Sequence, residues 1–491
     1  MTQARKTKIL ATLGPATDAP GVLEALVAAG VDVVRLNFSH GNADDHRARV
    51  ARVRAVSEAA GKEVGILGDL GGPKIRIEHF AQGRVELVAG ARFTLHADPE
   101  AAPGDIHGVA VSYVGLVDDV APEDVLLLDD GMMSLRVLEV EGSRIHTIVL
   151  NDGVLSDRKG LNRLGGGLSL GALTAKDRAD IKLAAELQMD FIAVSFCRTA
   201  DDIEQARALA RAAGSNAYLV AKIERAEAIT NLGDIIDASD VVMVARGDLG
   251  VEIGDAELPG LQKKIIHESL ARSRVVITAT QMLQSMVESP IPTRAEVLDV
   301  ANAVIDGTDA VMLSAESAAG LYPVKAVEAM ARICLGAERQ FEHDTDFEAA
   351  PRGLTHTDHA IALAAMYLTE HIEVRAILAL TESGGTARFL SRYRSPATIY
   401  GLSRHTTAHG RMALMRGVVP IRFDSHGELP RNAARNAVAQ LFRQGLLTEG
   451  DRILITAGDH MEHLGATNTL RLLTVGADGV AQGLGMMPEK A

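Results

Sequence analysis

The feature that most constrains this chain is a rhythm. Eight short, apolar, β-branched runs each adjoin a stretch of Ala, Leu, Arg and Glu at helical spacing. The runs are Lys8 to Leu13, Val31 to Asn37, Val64 to Asp69, Phe191 to Ser195, Tyr218 to Glu224, Val241 to Ala245, Val275 to Thr280 and Ala310 to Ser314. Strands alternating with helices form parallel sheets through crossover connections, and eight such units close a TIM (β/α)8 barrel whose C-terminal strand ends carry the chemistry. The expected fold class is therefore α/β, built on such a barrel.

The rhythm breaks once. Between the third and fourth runs, about residues 72–170, helical spacing vanishes and β-type runs such as RVELVAGARFTLHAD and DVLLLDDGMMSLRVLEVEGSRIHTIVLN alternate with Gly, Asp and Pro turns. This reads as an inserted β-barrel lid domain, with Gly165-Gly166-Gly167 as a hinge-like triplet. After Tyr322 a helix is expected to about Arg339, then a polar linker, EHDTDFEAAPRGLTHTDH. Strand candidates Val374 to Leu380, Ala397 to Leu402, Val418 to Phe423 and Arg452 to Thr456 then predict a smaller C-terminal α/β domain. The expected boundaries are 1–71 and 171–342 for the barrel, 72–170 for the lid and 343–491 for the last domain. A chain of 491 residues accommodates about three domains at roughly 150 residues each.

Composition narrows the function classes. With 50 Lys plus Arg against 64 Asp plus Glu, no basic run and no Trp, the chain lacks the electrostatic footprint and stacking platforms of a nucleic-acid binder. No apolar stretch approaches the ~20 residues that cross a bilayer, so no membrane partner is expected. Cys197 and Cys334 match no paired metal or disulfide spacing, and a reducing cytoplasm is the expected location. Neither a P-loop nor a G-x-G-x-x-G dinucleotide crossover is present.

At the ends of the eight runs the residues turn polar: Arg35, Asn37, Ser39 and His40, then Asp69, Lys222 and Glu224, Arg246-Gly247-Asp248, Thr280, Ser314 and Glu316. Charge directly after segments such as VVMVA and VVITA suggests a site. Lys222 and Glu224 share one face of their strand, and taken alone an ion pair closing the barrel is the lesser alternative reading. Asp248 on the next strand end adds a second carboxylate. Two acids from neighbouring strands make a hard oxygen site suited to Mg2+ or Mn2+. A lysine beside them makes phosphoryl chemistry the natural candidate, because charge spread over phosphate oxygens needs positive neighbours. A metal-dependent aldolase or mutase barrel, and a catalytically silent sugar-phosphate sensor, are the rival readings.

Several segments resemble the pyruvate kinase family: LNFSHG at Leu36 to Gly41, GPKIR at Gly72 to Arg76, AKIERAEA at Ala221 to Ala228, VARGDLGVE at Val244 to Glu252, ATQML at Ala279 to Leu283, and the whole of Pro292 to Ser317. The resemblance implies transfer of the phosphoryl group of phosphoenolpyruvate to ADP, giving pyruvate and ATP. By it Glu224 and Asp248 match the divalent-metal ligands, Lys222 the lysine facing the transferring phosphoryl group, and Arg35 a substrate-phosphate contact. Gly247, Asp248 and Thr280 match contacts to the substrate carboxylate, with Thr280 near the enolate face to be protonated. Asn37, His40, Arg76 and Lys176 match nucleotide contacts. The resemblance further implies a lid that closes over the nucleotide and a homotetramer.

One departure carries weight. Where most of the family has D-T-K-G-P-E-I-R, this chain reads Asp69-Leu70-Gly71-Gly72-Pro73-Lys74-Ile75-Arg76. The family's acid lies beside a K+ held by groups matching Asn37, Ser39, Asp69 and Leu70. An ammonium from Lys74 supplies that charge covalently, and two cations a few ångströms apart repel by ~4 kcal/mol at an effective dielectric of 20. K+ is therefore not expected to be required. In the last domain, Thr381 to Pro396 resembles the family's effector loop, so Thr381, Ser383, Gly384, Gly385 and Thr386 are candidates to hold a sugar phosphate or nucleotide effector. A ligand-free helix cap is the equal alternative.

Overall fold

The structure is a computed structural model that describes residues 5–98, 101–339, 354, 356–459 and 463–484. Its eight parallel strands close on themselves in chain order, with the first, Lys8–Thr12, pairing with both the second, Val33–Asn37, and the eighth, Ala310–Leu313. The others are Gly65–Asp69, Phe191–Val194, Tyr218–Ile223, Val241–Ala245 and Val275–Ala279. These are the eight runs read from sequence; Val241–Ala245 matches in full and the other seven are shortened by a residue or two at their ends. Of the trimmed residues, Ser195, Glu224 and Thr280 turn their side chains to partners on the rim.

Alternation inside the barrel explains why the runs are apolar throughout. In Val241–Ala245, Val241 and Met243 join the interior cluster while Val242 and Val244 pack outward against the helices. Both faces are buried, so a period of two does not show. The parity matters at the upper end. Leu10, Val33, Leu67, Ala193 and Val220 point inward, so Thr12, Arg35, Asp69, Ser195 and Lys222, each two residues further on, share that inward face.

The inserted segment has its own core around Phe93, Leu95, Leu126, Leu135 and Ile145. It forms a six-stranded sheet with edges Leu161–Arg163 and Gly108–Ala110, beside a two-stranded sheet of Arg84–Leu87 and Gly153–Ser156. Among the described residues, no continuous ladder joins the two sheets. The stretch around Arg76 and Ile77 spans the gap with single bridges to Gly160 and Val111.

The helix expected after Tyr322 runs from Pro323 to Glu338. Most of the linker lies outside the described residues; its last residues open the helix Thr357–His371. The C-terminal sheet has the order Val418–Arg422, Thr398–Ser403, Ala376–Leu380, Arg452–Gly458, Thr467–Val475, Ala481–Gln482. Its first four strands are parallel, as expected. The last two are antiparallel additions that sequence reading missed, because Thr467–Val475 is half-buried and carries Asn468, Thr469 and Arg471. Among the described residues no helix is long and apolar enough to cross a membrane.

The C-terminal domain docks on the barrel floor through an interior cluster that runs from Leu10 and Phe191 to Ala408 and Met412. Two glycines permit the approach. A Cβ on Gly65 would stand 2.9 Å from the Gly410 carbonyl, and one on Gly410 would fall within 1.9 Å of the Asp190 carboxylate. Asp190 cannot retreat freely, since its other oxygen accepts the Ile66 amide at 2.8 Å. Gly410→Ala is expected to destabilise the protein by about 1–3 kcal/mol through overpacking, read as a fall in thermal midpoint by calorimetry.

Candidate active site

The site is built on the inward polar layer. Lys222, one residue before the end of its strand, is the centre: its ammonium lies 2.9 Å from Glu224 Oε1 and 3.3 Å from Asp69 Oδ1, and donates to Ser195 Oγ at 2.7 Å. Burial opposes its charge, but Asp69 and Glu224 outweigh that and raise its pKa, so it is fully protonated at neutral pH. Asp69 is itself buried, and Lys222 and Arg35 hold it below the usual carboxylate range. Arg35 bonds Asp69 Oδ2 through Nε at 2.6 Å and donates to Thr12 Oγ1 at 3.1 Å.

Glu224 behaves differently. Burial raises its pKa, Lys222 works against this, and the neighbouring charge of Asp248 raises it further. Two carboxylates that disfavour each other's charge are what a divalent cation relieves. The outer oxygen of Glu224 accepts the Phe196 amide at 2.8 Å, fixing the side chain. Among the described residues no group of three or more His, Cys, Asp or Glu forms a metal cluster. A cation here would therefore take two protein carboxylates and fill its remaining positions with water and ligand oxygens, as Mg2+ does. The donor set fits.

Asp248 sits in the first turn of the helix Arg246–Ile253, which starts directly at the sixth strand. Next to it, Gly247 donates its amide to Thr280 Oγ1 at 2.8 Å. Thr280 has φ +67° and its neighbour Gln281 +55°, a conformation that costs a β-branched residue on the order of 1–3 kcal/mol. It is held there by Arg246, whose Nη2 donates to the Thr280 carbonyl at 2.7 Å and whose Nη1 is anchored on Asp299 at 2.7 Å. Phe196, at φ +56°, is a second strained residue on the rim. Glu316, by contrast, is consumed by the amides of Leu283 and Ser314 and holds the eighth strand end.

The other sequence candidates divide into groups. Asn37 ends the second strand and Ser39 and His40 follow on the loop, where Asn37 Oδ1 accepts the Ser39 amide at 3.0 Å and His40 is exposed. Lys176 anchors that loop by donating to the Phe38 carbonyl at 2.6 Å. Arg76 stands on the lid, tied to the Arg158 carbonyl at 2.8 Å. Leu70 is buried, and its carbonyl accepts the Ser195 hydroxyl at 2.8 Å. Lys74 is placed differently from the sequence expectation. Its ammonium meets Asp248 Oδ1 at 2.9 Å, and none of the described hydrogen bonds or ion pairs joins it to Asn37, Ser39, Asp69 or Leu70. This carries its four-carbon side chain to the first turn of the helix Arg246–Ile253. Ser195 was missed by sequence reading; its place two residues beyond inward-facing Ala193 was the available signal.

The comparisons agree with this geometry. The family described as "Pyruvate kinase, barrel domain" matches residues 4–327, and "Pyruvate kinase, alpha/beta domain" matches residues 359–473. The chain belongs to the pyruvate kinase family. Its relatives include pyruvate kinase II of Salmonella typhimurium, 52% identical over 96% of this chain and 99% of the relative, and a pyruvate kinase of Haemophilus influenzae, 50% identical over 95% and 97%. A solved pyruvate kinase from Cryptosporidium parvum superposes with a TM-score of 0.90 at 33% identity, covering 96% of each chain. The protein is thus a phosphotransferase of the pyruvate kinase type.

The inserted segment returns to the barrel close to these side chains. The Gly165-Gly166-Gly167 triplet has φ of +84°, +78° and +95°, respectively, which only glycine adopts three times running. The Gly167 amide donates to Glu227 at 2.6 Å, and the Gly165 amide to the Glu252 carbonyl at 2.9 Å. Burial pushes the Glu252 carboxyl up to about 7, against the Ala226 amide and Arg225, which favour its charge. Its folded pKa exceeds the unfolded value of ~4.3, so the native state holds the proton more tightly. The stability this gives is complete below that unfolded value and is lost as pH rises to about 7. Glu252→Gln is expected to reduce the loss in urea-measured stability between pH 5 and pH 8 by roughly 2–3 kcal/mol relative to the parent.

Proposed function

We propose that this protein transfers the phosphoryl group of phosphoenolpyruvate to ADP in a Mg2+- or Mn2+-dependent, K+-independent reaction. The observation that carries this reading is the ammonium of Lys222 held between Asp69, Glu224 and Ser195 beside a carboxylate pair. A divalent ion on Glu224 and Asp248 supplies charge neutralisation for the phosphoryl oxygens when bound. Lys222 presents a point charge to the transferring group, and Arg35, pre-oriented by Asp69 and Thr12, binds the substrate phosphate. Gly247, Asp248 and Thr280 position the substrate carboxylate. The bond from phosphorus to the enol oxygen breaks, a bond to the terminal phosphate of ADP forms, and the enolate left behind takes a proton at carbon. The Asn37 to His40 loop, Lys176 and Arg76 bind the nucleotide from two sides. The lid excludes the water that would otherwise intercept the donor.

Independence from K+ rests on the sequence, in which Lys74 replaces the family's acid and Leu70 its threonine; the Lys74 ammonium itself pairs with Asp248 rather than with Asn37, Ser39, Asp69 or Leu70. The reading also includes an effector in the cavity of about 260 Å3 bordered by Thr381, Ser383, Gly385 and Thr386. Gly384 caps the following helix at φ +86°, and its amide bonds Thr381 Oγ1 at 3.0 Å. A homotetramer is supported by exposed apolar residues that ask for cover, among them Ile291, Leu298 and Leu321. A cytoplasmic location is supported by two buried, unpaired cysteines.

Lys222→Met is expected to lower kcat about a thousandfold while phosphoenolpyruvate still binds, measured by coupled assay and by calorimetry; unchanged turnover rejects the mechanism. With tetramethylammonium as the only monovalent cation, the parent enzyme is expected to work at nearly its rate in K+, whereas Lys74→Glu is expected to need K+. Strong K+ activation of the parent rejects the assignment of Lys74.

A further inference from the structure

We propose that Glu252 is a positioning residue for the divalent ion: its carboxyl ties the segment that carries Glu224 to the helix that carries Asp248. The inference deepens the proposed reaction and rests on its reading of those two carboxylates as the metal ligands.

The barrel ladder does not reach the two ligands. Pairing between the fifth and sixth strands ends at Ile223 and Val244, so Glu224 and Asp248 lie on continuations that the sheet no longer holds at a fixed spacing. Glu252 supplies the missing link. It lies in the helix Arg246–Ile253, one turn beyond Asp248, and residues four apart share a helix face. Its Oε2 accepts the Ala226 amide at 3.0 Å. Ala226 is two residues past Glu224 and opens the short helix Ala226–Thr230. Among the described residues this is the hydrogen bond that joins the two continuations. The other oxygen, Oε1, accepts Asn162 Nδ2 at 3.4 Å, and Asn162 belongs to the lid strand Leu161–Arg163. One carboxyl therefore meets donors on two different segments.

Stability is a poor account of this side chain. Glu252 is 2% exposed, burial opposes its charge, and the neighbouring charge of Glu227 opposes it too. An apolar residue would fill the same space at lower cost. What it would lack is a pair of acceptor oxygens able to bind separate donors at once.

The roots of the lid converge on the same point. A cavity of about 20 Å3 is bordered by Lys74, Asn162, Leu168, Phe196, Arg225 and Glu252, room for about one water. So close a junction leaves little slack. From it Lys74 reaches Asp248, and the Phe196 amide holds Glu224.

The test is Mn2+ titration of the full chain, without phosphoenolpyruvate or nucleotide, followed by electron paramagnetic resonance. Asp248→Asn is expected to weaken binding at least about tenfold, and parent-like binding there overturns the reading of the metal site and the proposal with it. Loss of an outer partner of a metal ligand costs about 10–100-fold in affinity, so Glu252→Ala is expected to weaken Mn2+ at least about tenfold. Glu252→Asp, one methylene short of the Ala226 amide, is expected to weaken it at least roughly fivefold, and decides the matter if Glu252→Ala does not fold. Glu252→Gln, whose side-chain oxygen still accepts that amide, is expected to stay within about threefold of the parent. Asn162→Ala frees the lid strand but leaves the bridge, and is expected to change affinity less than about twofold, which separates loss of the bridge from general loosening. With Asp248→Asn impaired, parent-like affinity in Glu252→Ala or Glu252→Asp overturns the proposal alone. So does a loss in Glu252→Gln or Asn162→Ala as large as that in Glu252→Ala or, where that variant does not fold, in Glu252→Asp.

Discussion

A single buried ammonium organises the mouth of this barrel. Taking Lys222 out of water is costly unless it is paired and hydrogen-bonded. Asp69, Glu224 and Ser195, from three other places in the chain, meet that requirement. Each partner is in turn fixed: Asp69 by Arg35, Glu224 by the Phe196 amide, and Ser195 by the Leu70 carbonyl. The layer is inward-facing because it continues the same parity that fills the barrel with Leu10, Val33, Leu67 and Val220 below. Apolar packing and polar chemistry are therefore one arrangement read at two heights. The packed layers underneath give the charged layer a rigid base, which is what electrostatic preorganisation requires.

The lid is coupled to this layer at both of its roots. On the outgoing side Lys74 reaches Asp248; on the returning side the glycine triplet docks on Glu227 and Glu252. The helix Arg246–Ile253 contains both Asp248 and Glu252. The inserted domain is thus joined at both roots to the helix that carries Asp248 and, through Gly247, bonds strained Thr280.

Much of the architecture was legible because parallel barrel strands buried on both faces are unbroken apolar runs, and because charge placed just beyond such runs has few structural reasons to exist. Lys222, Glu224, Asp248 and Thr280 were found that way, and the structure brings them to one rim. Ser195 escaped notice since serine is ordinary at a strand end and only its partner, 27 residues away, makes it special. The partner of Lys74 was also beyond reach: a side chain's destination across a domain junction depends on how two separately packed bodies meet. The antiparallel strand Thr467–Val475 escaped for the opposite reason, its half-exposed alternation being diluted by polar residues. The linker prediction fell largely on residues outside those described.

Closure of the barrel joins Lys8 to Ala310 and Ala11 to Leu313. The first strand therefore has only one neighbour until synthesis has passed the eighth. During translation at ~5–20 residues per second, the open sheet must wait many seconds with an unpaired edge, while the inserted β domain, whose core is its own, emerges complete in between. The nascent chain thus carries an open sheet edge at Lys8–Thr12 until the eighth strand, Ala310–Leu313, has been made.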